Sequence, residues 1–234
     1  MAKGSALKKG VVPAFVICLC FSVSVFADPA APELIDHSDK GYLASVPANI
    51  PVGSAAPILI CLPAVGITAK NDIVNWASPA GQKGLVVLDL DVDYSRIASF
   101  EDVDALCGRI IDAVDSLAAR YPVNKKRLYI AGTSAGGMMA ISLGLRYCDV
   151  FIAVGVVSGA ALRFGADVEL PHAEGRRFYM VHGAKDAVVP LGMFDATRET
   201  LRKYGALIQY TVFPEDGHPA GPAGYAKVID WMTQ

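Results

Sequence analysis

Arg127-Leu128-Tyr129-Ile130-Ala131-Gly132-Thr133-Ser134-Ala135-Gly136-Gly137-Met138-Met139-Ala140-Ile141 reads in one pass as a strand, a tight turn and a helix. Arg127 to Ala131 is rich in β-favouring apolar residues, Gly132 to Gly137 breaks the run, and the apolar residues that follow suit a helix. Within the turn, Gly132-Thr133-Ser134-Ala135-Gly136 is a G-x-S-x-G pattern. Set between strand and helix, that pattern lifts a serine hydroxyl above the carboxyl edge of a sheet. Glycines are needed there because the turn is strained and neighbouring backbone passes close to it. Out of context the same five residues would also describe an ordinary turn with Ser134 as a helix cap. The flanking strand and helix favour a reactive serine.

Outward from this turn, short apolar runs alternate with longer helical patterns from about residue 57 onward, which predicts an α/β fold with a mostly parallel sheet. The expected strands are Ile58 to Leu62, Leu85 to Leu90, Arg127 to Ala131, Ile152 to Val157, Arg177 to His182 and Ile208 to Phe213. Their near-continuous apolarity suits burial on both faces. Val103, Leu106, Cys107, Ile110, Val114 and Leu117 recur at helical spacing, with Asp104, Asp112 and Asp115 on the opposite side. They predict a helix over Phe100 to Arg120, stopped by Tyr121-Pro122. Further helices are expected over Ala135 to Tyr147, Gly192 to Tyr204 and Ala223 to Met232. Residues 28–50 add one or two antiparallel edge strands, such as Tyr42 to Val46. No internal repeat or linker divides the chain, so residues 28–234 are read as a single domain.

A serine hydroxyl needs a base to take its proton and a third group to orient that base. Asp186 follows the strand Arg177 to His182, and His218 follows the strand Ile208 to Phe213. Both therefore stand beyond a strand's carboxyl end, where an open α/β sheet gathers its site. Chain order is serine, acid, histidine. Asp195 is a weaker rival for the acid because it falls inside a helical pattern, and His182 is read as structural. His37 and His172 are read as surface or loop residues, and Trp76, Met138 and Met139 as core rather than substrate platform. Gly159 to Gly175 lacks periodicity and is expected to wall the substrate pocket.

Of the 234 residues, 53% are hydrophobic and 19% charged, which supports a large core and does not fit a disordered chain. The net charge of -2 and the lack of a basic stripe beyond the first ten residues argue against nucleic-acid binding. Lys3, Lys8 and Lys9, the apolar run Val11 to Phe26 and the small residue Ala27 read as a secretory signal over residues 1–27, cleaved before Asp28. The mature protein is then expected to be secreted or periplasmic, with no stable membrane anchor. Cys61, Cys107 and Cys148 would remain, an odd number that permits at most one disulfide. No Cys/His spacing suits a structural metal. Asp89, Asp91 and Asp93 alternate at a strand end and are read as solvated carboxylates rather than cation ligands.

Tyr121-Pro122-Val123-Asn124-Lys125-Lys126-Arg127 leading into the Ser134 turn resembles the α/β-hydrolase superfamily, in the branch of polyhydroxybutyrate depolymerases, feruloyl esterases and related small exported esterases. His182-Gly183-Ala184-Lys185-Asp186-Ala187-Val188-Val189-Pro190 is similar to that branch's acid loop, and Gly217-His218 to its histidine loop. The resemblance runs over about residues 57–234. It implies an α/β-hydrolase fold with helices on both faces of the sheet, Ser134 as nucleophile, Asp186 as acid and His218 as base. It further implies feruloyl, acetyl or short hydroxyalkanoate esters as substrates and no cofactor. Ala135, following the nucleophile, would donate one oxyanion N–H. The branch carries His-Gly after its first central strand where this chain has Pro63-Ala64; proline has no N–H, so the second donor would come from Ala64 or Val65, with Val65 matching the usual donor position. Two other readings fit the same fold: a peptidase or dienelactone-type hydrolase, and a catalytically weak binding protein. Dienelactone-type enzymes use a cysteine nucleophile where this chain has Ser134.

Overall fold

The computed structural model describes Met1, residues 32–161 and residues 169–234. Residues 2–27 of the expected leader and residues 162–168 of the Gly159–Gly175 stretch lie outside the described residues. In chain order the elements are β1 (Glu33–His37), β2 (Tyr42–Val46), β3 (Ala56–Leu62), α1 (Ala69–Gln82), β4 (Val86–Leu90), α2 (Phe100–Ala118) and β5 (Val123–Thr133). They continue as α3 (Ala135–Arg146), β6 (Phe151–Val157), β7 (Arg177–Gly183), α4 (Leu191–Lys203), β8 (Leu207–Phe213) and α5 (Pro222–Met232).

One eight-stranded sheet carries them in the order β1-β2-β4-β3-β5-β6-β7-β8. β1 and β2 run antiparallel, and β2 meets β4 antiparallel; the remaining pairs are parallel, as crossover helices require. The register sets Gly132 of β5 beside Leu62 of β3 on one side and Val156 of β6 on the other. The strands that lead to Ser134, Asp186 and His218 thus end at the same edge.

Strand side chains alternate between faces, and the core divides accordingly. Ile58, Ile60 and Leu62 join Val103 and Ile110 of α2, Met139 and Leu143 of α3, and Phe194 and Leu201 of α4. Leu59 and Cys61 join Ile73 and Trp76 of α1 and Tyr225 and Val228 of α5 on the other face. Each fully buried Val, Leu, Ile or Phe contributes about 1.5–3 kcal/mol. An exposed pair such as Lys83–Asp230 contributes at most about 1 kcal/mol, so these two layers hold the fold. Cys61, Cys107 and Cys148 are all free. Burial pushes the Cys61 thiol well up and the Cys107 thiol to about 11.

Three differences from the sequence reading have physical causes. Helix α1 has Ala69, Ile73, Trp76 and Ala80 buried at helical spacing, but Pro79 in its last turn and the polar residues between them hide the period. Strand β2 is not an edge: β1 covers it and all five of its residues are buried. Strand β8, by contrast, is the far edge and has no fully buried residue.

Candidate active site

Ser134 occupies the corner between β5 and α3 at φ 54, ψ -116, outside the ordinary wells for a side-chain-bearing residue. Its backbone N–H is held by the Val157 carbonyl at 2.8 Å. The flanking glycines are needed for space. A Cβ on Gly132 would stand 2.3 Å from the Gly136 carbonyl carbon, and one on Gly136 would stand 1.9 Å from the Leu62 carbonyl oxygen. That second approach seats the N-terminus of α3 against the end of β3 and the start of the Pro63 loop.

The histidine loop after β8 brings His218 Nε2 to 2.9 Å from Ser134 Oγ. On its other side, His218 Nδ1 lies 2.7 Å from Asp186 Oδ2. Asp186 Oδ1 accepts the backbone N–H groups of Val188 at 2.9 Å and Val189 at 2.8 Å, which fixes the carboxylate and turns Oδ2 toward the imidazole. A carboxylate accepts only, so Nδ1 carries the proton and Nε2 is left as an acceptor facing the serine hydroxyl. Burial pushes the Asp186 carboxyl up, but the Val189 N–H, His218 and the Val188 N–H outweigh it and hold the group below the usual carboxylate value.

The two loops are joined backbone to backbone. Lys185 N–H donates to the Asp216 carbonyl at 2.9 Å and Ala184 N–H to the Phe213 carbonyl at 2.8 Å. A Cβ on Gly183 would come within 2.4 Å of the Asp216 and Gly217 carbonyls. Farther along, Ala220 N–H donates to Ser158 Oγ at 2.8 Å, anchoring the histidine loop to the end of β6. Ser158 was not picked out in the sequence; the Ser-Gly pair directly after a strand was the available signal.

Ser134, His218 and Asp186 are thus brought together; Asp195 is not, and His182 Nε2 stands 3.6 Å from Asp186 Oδ2, beyond hydrogen-bond distance. His182 is fully buried, stacks on Phe194 at 4.7 Å and meets the Val189 carbonyl through Nε2 at 2.8 Å, under the acid loop. Asp195 pairs with Arg198 on α4. Trp76 and Met139 are fully buried, while Met138 is half-buried beside the Ser134 turn. His172 is exposed and His37 packs near Tyr42.

Ala135 is the first residue of α3, so its N–H has no intrahelical carbonyl and is available to an anion. Val65 is on the exposed tip of the loop after β3, with 68% of its surface exposed. Beside this loop opens a groove of about 670 Å³, walled by Val65 and Ile67 on one side and by Val92, Tyr94 and Ile97 on the other.

The aspartates at the end of β4 behave differently from the sequence reading. Asp89 is not solvated: it is fully buried next to Asp72, and burial, reinforced by Asp72 and Asp91, pushes it well above the usual carboxylate value. Strand alternation was the missed signal, since Val87 and Asp89 share a face of an inner strand. Asp91 accepts the Ala69 N–H at the start of α1, and Asp93 is exposed and caps a 3-10 turn over Tyr94–Arg96.

A family described as Esterase PHB depolymerase matches residues 102–206, a span that holds Ser134 and Asp186 and ends before His218. Over 129 residues the chain is 29% identical to a poly(3-hydroxybutyrate) depolymerase of Ralstonia pickettii, covering 47% of this chain and 26% of that one. It is 30% identical over 112 residues to an acyl-protein thioesterase 1 of Neurospora crassa, covering 46% of each. The chain therefore spans between a quarter and a half of the length of these relatives. Among solved structures, an S-formylglutathione hydrolase from Staphylococcus aureus superposes with a TM-score of 0.70 at 16% identity, covering 87% of this chain and 96% of that one. A ferulic acid esterase from Anaeromyces mucronatus superposes with a TM-score of 0.66 at 11% identity, covering 87% and 90%.

Proposed function

We propose that this chain is a member of the α/β-hydrolase superfamily, a reading that the Esterase PHB depolymerase match and the shared fold support, and that it is a serine hydrolase of carboxylic esters. The observation that supports this reading is the hydrogen-bonded line from Asp186 through His218 to Ser134, which ends at a serine in a strained strand-to-helix corner. Ser134 Oγ attacks the ester carbonyl while His218 Nε2 takes its proton, and Asp186 stabilises the imidazolium that forms. The N–H groups of Ala135 and Val65 receive the oxyanion of the tetrahedral intermediate. His218 then passes its proton to the departing alcohol. In the second half, His218 activates water against the acyl-enzyme and the carboxylic acid leaves.

The Esterase PHB depolymerase match and the ferulic acid esterase neighbour support short hydroxyalkanoate, acetyl or feruloyl esters as substrates. Residues 1–27 are read as an export signal, which assigns the mature protein to the periplasm or the medium. Among the described residues no helix is long and apolar enough to cross a membrane. The test is hydrolysis of p-nitrophenyl esters of increasing acyl length by the purified chain beside Ser134→Ala. Turnover that disappears in the folded variant is expected. Equal rates in the two proteins would remove Ser134 from the reaction, and inactivity of both on every ester would remove the ester-hydrolase assignment.

A further inference from the structure

Pro63–Thr68 is the part of the site that departs from the pattern of similar esterases, and it is sparsely tied. Its residues Val65 to Thr68 are exposed, and within the loop Ile67 N–H donates to the Ala64 carbonyl at 3.1 Å, closing a turn through Gly66 at φ +76. A donor to an oxyanion must sit about 2.7–3.1 Å from it, a tolerance that a loop held by one internal bond does not meet by itself.

The Thr68 carbonyl accepts the N–H groups of Asn71 and Asp72 at 2.9 and 3.0 Å in the first turn of α1, and two further bonds, one at each end of the loop, come from the turn after β4. At the loop's start, the buried Tyr94 hydroxyl donates to the Pro63 carbonyl at 2.6 Å. At its end, Asp91 Oδ1 accepts the N–H of Ala69 at 2.7 Å. The turn that supplies both groups is itself fixed. Asp91 donates its N–H to the Gly41 carbonyl at 2.9 Å, and its own carbonyl accepts Arg109 Nη2 at 3.0 Å. Asp93 Oδ1 accepts the Ser95 N–H and hydroxyl at 3.1 and 2.6 Å, shaping the 3-10 turn that aims Tyr94 inward.

Packing does not substitute for these bonds along the length of the loop. The groove of about 670 Å³ separates Val65 and Ile67 from Val92 and Ile97, so the tip faces open space and is positioned from its two ends. Proline at position 63 restricts φ there, and the Tyr94 bond fixes the Pro63–Ala64 peptide, which directly precedes the peptide that carries the Val65 N–H. Gly136 closes the other side, because the Pro63 carbonyl would be 2.5 Å from any Cβ on it.

We propose that the Asp91–Ile97 turn is a clamp that positions the Val65 N–H for the oxyanion, with Tyr94 and Asp91 as positioning residues at the two ends of the loop. The inference rests on the ester-hydrolase reading above. It accounts for how a loop with Pro63-Ala64 in place of His-Gly is still held.

The test uses the purified full chain and p-nitrophenyl acetate. Tyr94→Phe removes only the hydroxyl and is expected to lower kcat by about 10- to 100-fold, below the full loss of about 100- to 1000-fold seen when an oxyanion donor is removed. KM should stay within about twofold and the pH midpoint of kcat/KM should not move, since the His218–Asp186 pair is untouched. Affinity for an aryl trifluoromethyl ketone, whose serine adduct carries an oxyanion, should fall by the same factor as kcat/KM. Asp91→Ala should show the same kcat loss, and Asp91→Asn, which keeps an acceptor oxygen, should restore it. A Tyr94→Phe protein with a lower Tm but wild-type kcat and ketone affinity would show a merely structural bond and overturn the clamp. If Tyr94→Phe does not fold, wild-type kcat in Asp91→Ala overturns it. In both cases Ser134-dependent turnover by the wild type leaves the ester-hydrolase reading standing, whereas its absence overturns that reading and the clamp together.

Discussion

Asp186→Asn separates the chemistry of the site from its stability. The wild-type carboxylate accepts three hydrogen bonds: Val188 and Val189 N–H on Oδ1, and His218 Nδ1 on Oδ2. An asparagine keeps one acceptor oxygen, and the two backbone donors hold it at the Oδ1 position because an NH2 group there would face two N–H groups. The new NH2 therefore points at His218 Nδ1. The imidazole accommodates it by moving its proton to Nε2, which then donates to Ser134 Oγ and no longer takes the serine's proton. The same substitution in a Ser-His-Asp protease lowers kcat about 10⁴-fold, which corresponds to about 5 kcal/mol of barrier at 1.36 kcal/mol per decade. Stability should change much less. Two of the three bonds survive, and the third, made to a charged acceptor, is worth about 1.5–3 kcal/mol, too little to unfold a domain with a typical 5–15 kcal/mol in hand. Steady-state hydrolysis of p-nitrophenyl acetate and urea unfolding, run side by side, should show a collapse in kcat with a small shift in midpoint. Asp195→Asn, which alters the pair with the largely buried Arg198, should keep wild-type kcat. A folded Asp186→Asn enzyme within tenfold of wild type, or a large loss in Asp195→Asn, would refute the assignment of the acid.

Asp89→Asn should flatten the pH dependence of stability. The folded-state pKa of Asp89 is raised, so its contribution is fully present below the unfolded value near 4 and is lost as pH rises toward the folded value. Thermal unfolding should therefore show the variant gaining on wild type between pH 5 and pH 8, and parallel curves would contradict the buried neutral form. Gly136→Ala drives a Cβ against the backbone carbonyls of Leu62 and Pro63 and should cost at least about 3 kcal/mol by denaturant unfolding, at the upper end of overpacking penalties. Gly108→Ala in α2, where a Cβ meets nothing within 4 Å, should instead stabilise by up to about 1 kcal/mol; equal effects at the two glycines would undo the close-approach argument.

Much of the sheet was legible because inner parallel strands are apolar runs bounded by breakers, and each carries its own signal. The turn at Ser134 was legible for the same local reason. What escaped was set by contacts distant in sequence. Helix α1 hides behind Pro79 and a polar face, although Ile73 and Trp76 face the core. Asp89 looks solvated among charged neighbours until strand order shows β4 to be an inner strand. Tyr94 gives no sign of its role, because its partner is the backbone carbonyl of Pro63, thirty-one positions earlier.

The placement of His218 and Asp186 follows from the same strand order. β8 lies three strand spacings from β5, with β7 and β6 between, a gap of about 14 Å at roughly 4.8 Å per spacing. The five residues from Pro214 to His218 span at most about 17 Å when extended, so the loop has to cross the sheet edge almost directly to bring an imidazole to Ser134. Its contacts record that path. Asp216 and Gly217 lie against the acid loop at the end of β7, and Ala220 is tied to Ser158 at the end of β6. An acid delivered from β7 lies beneath this crossing and meets the imidazole from the side away from the serine. Asp195 lacks that access, because it departs along α4 with its charge turned to Arg198. The short reach of the histidine loop thus selects both the histidine and the strand that must supply its acid.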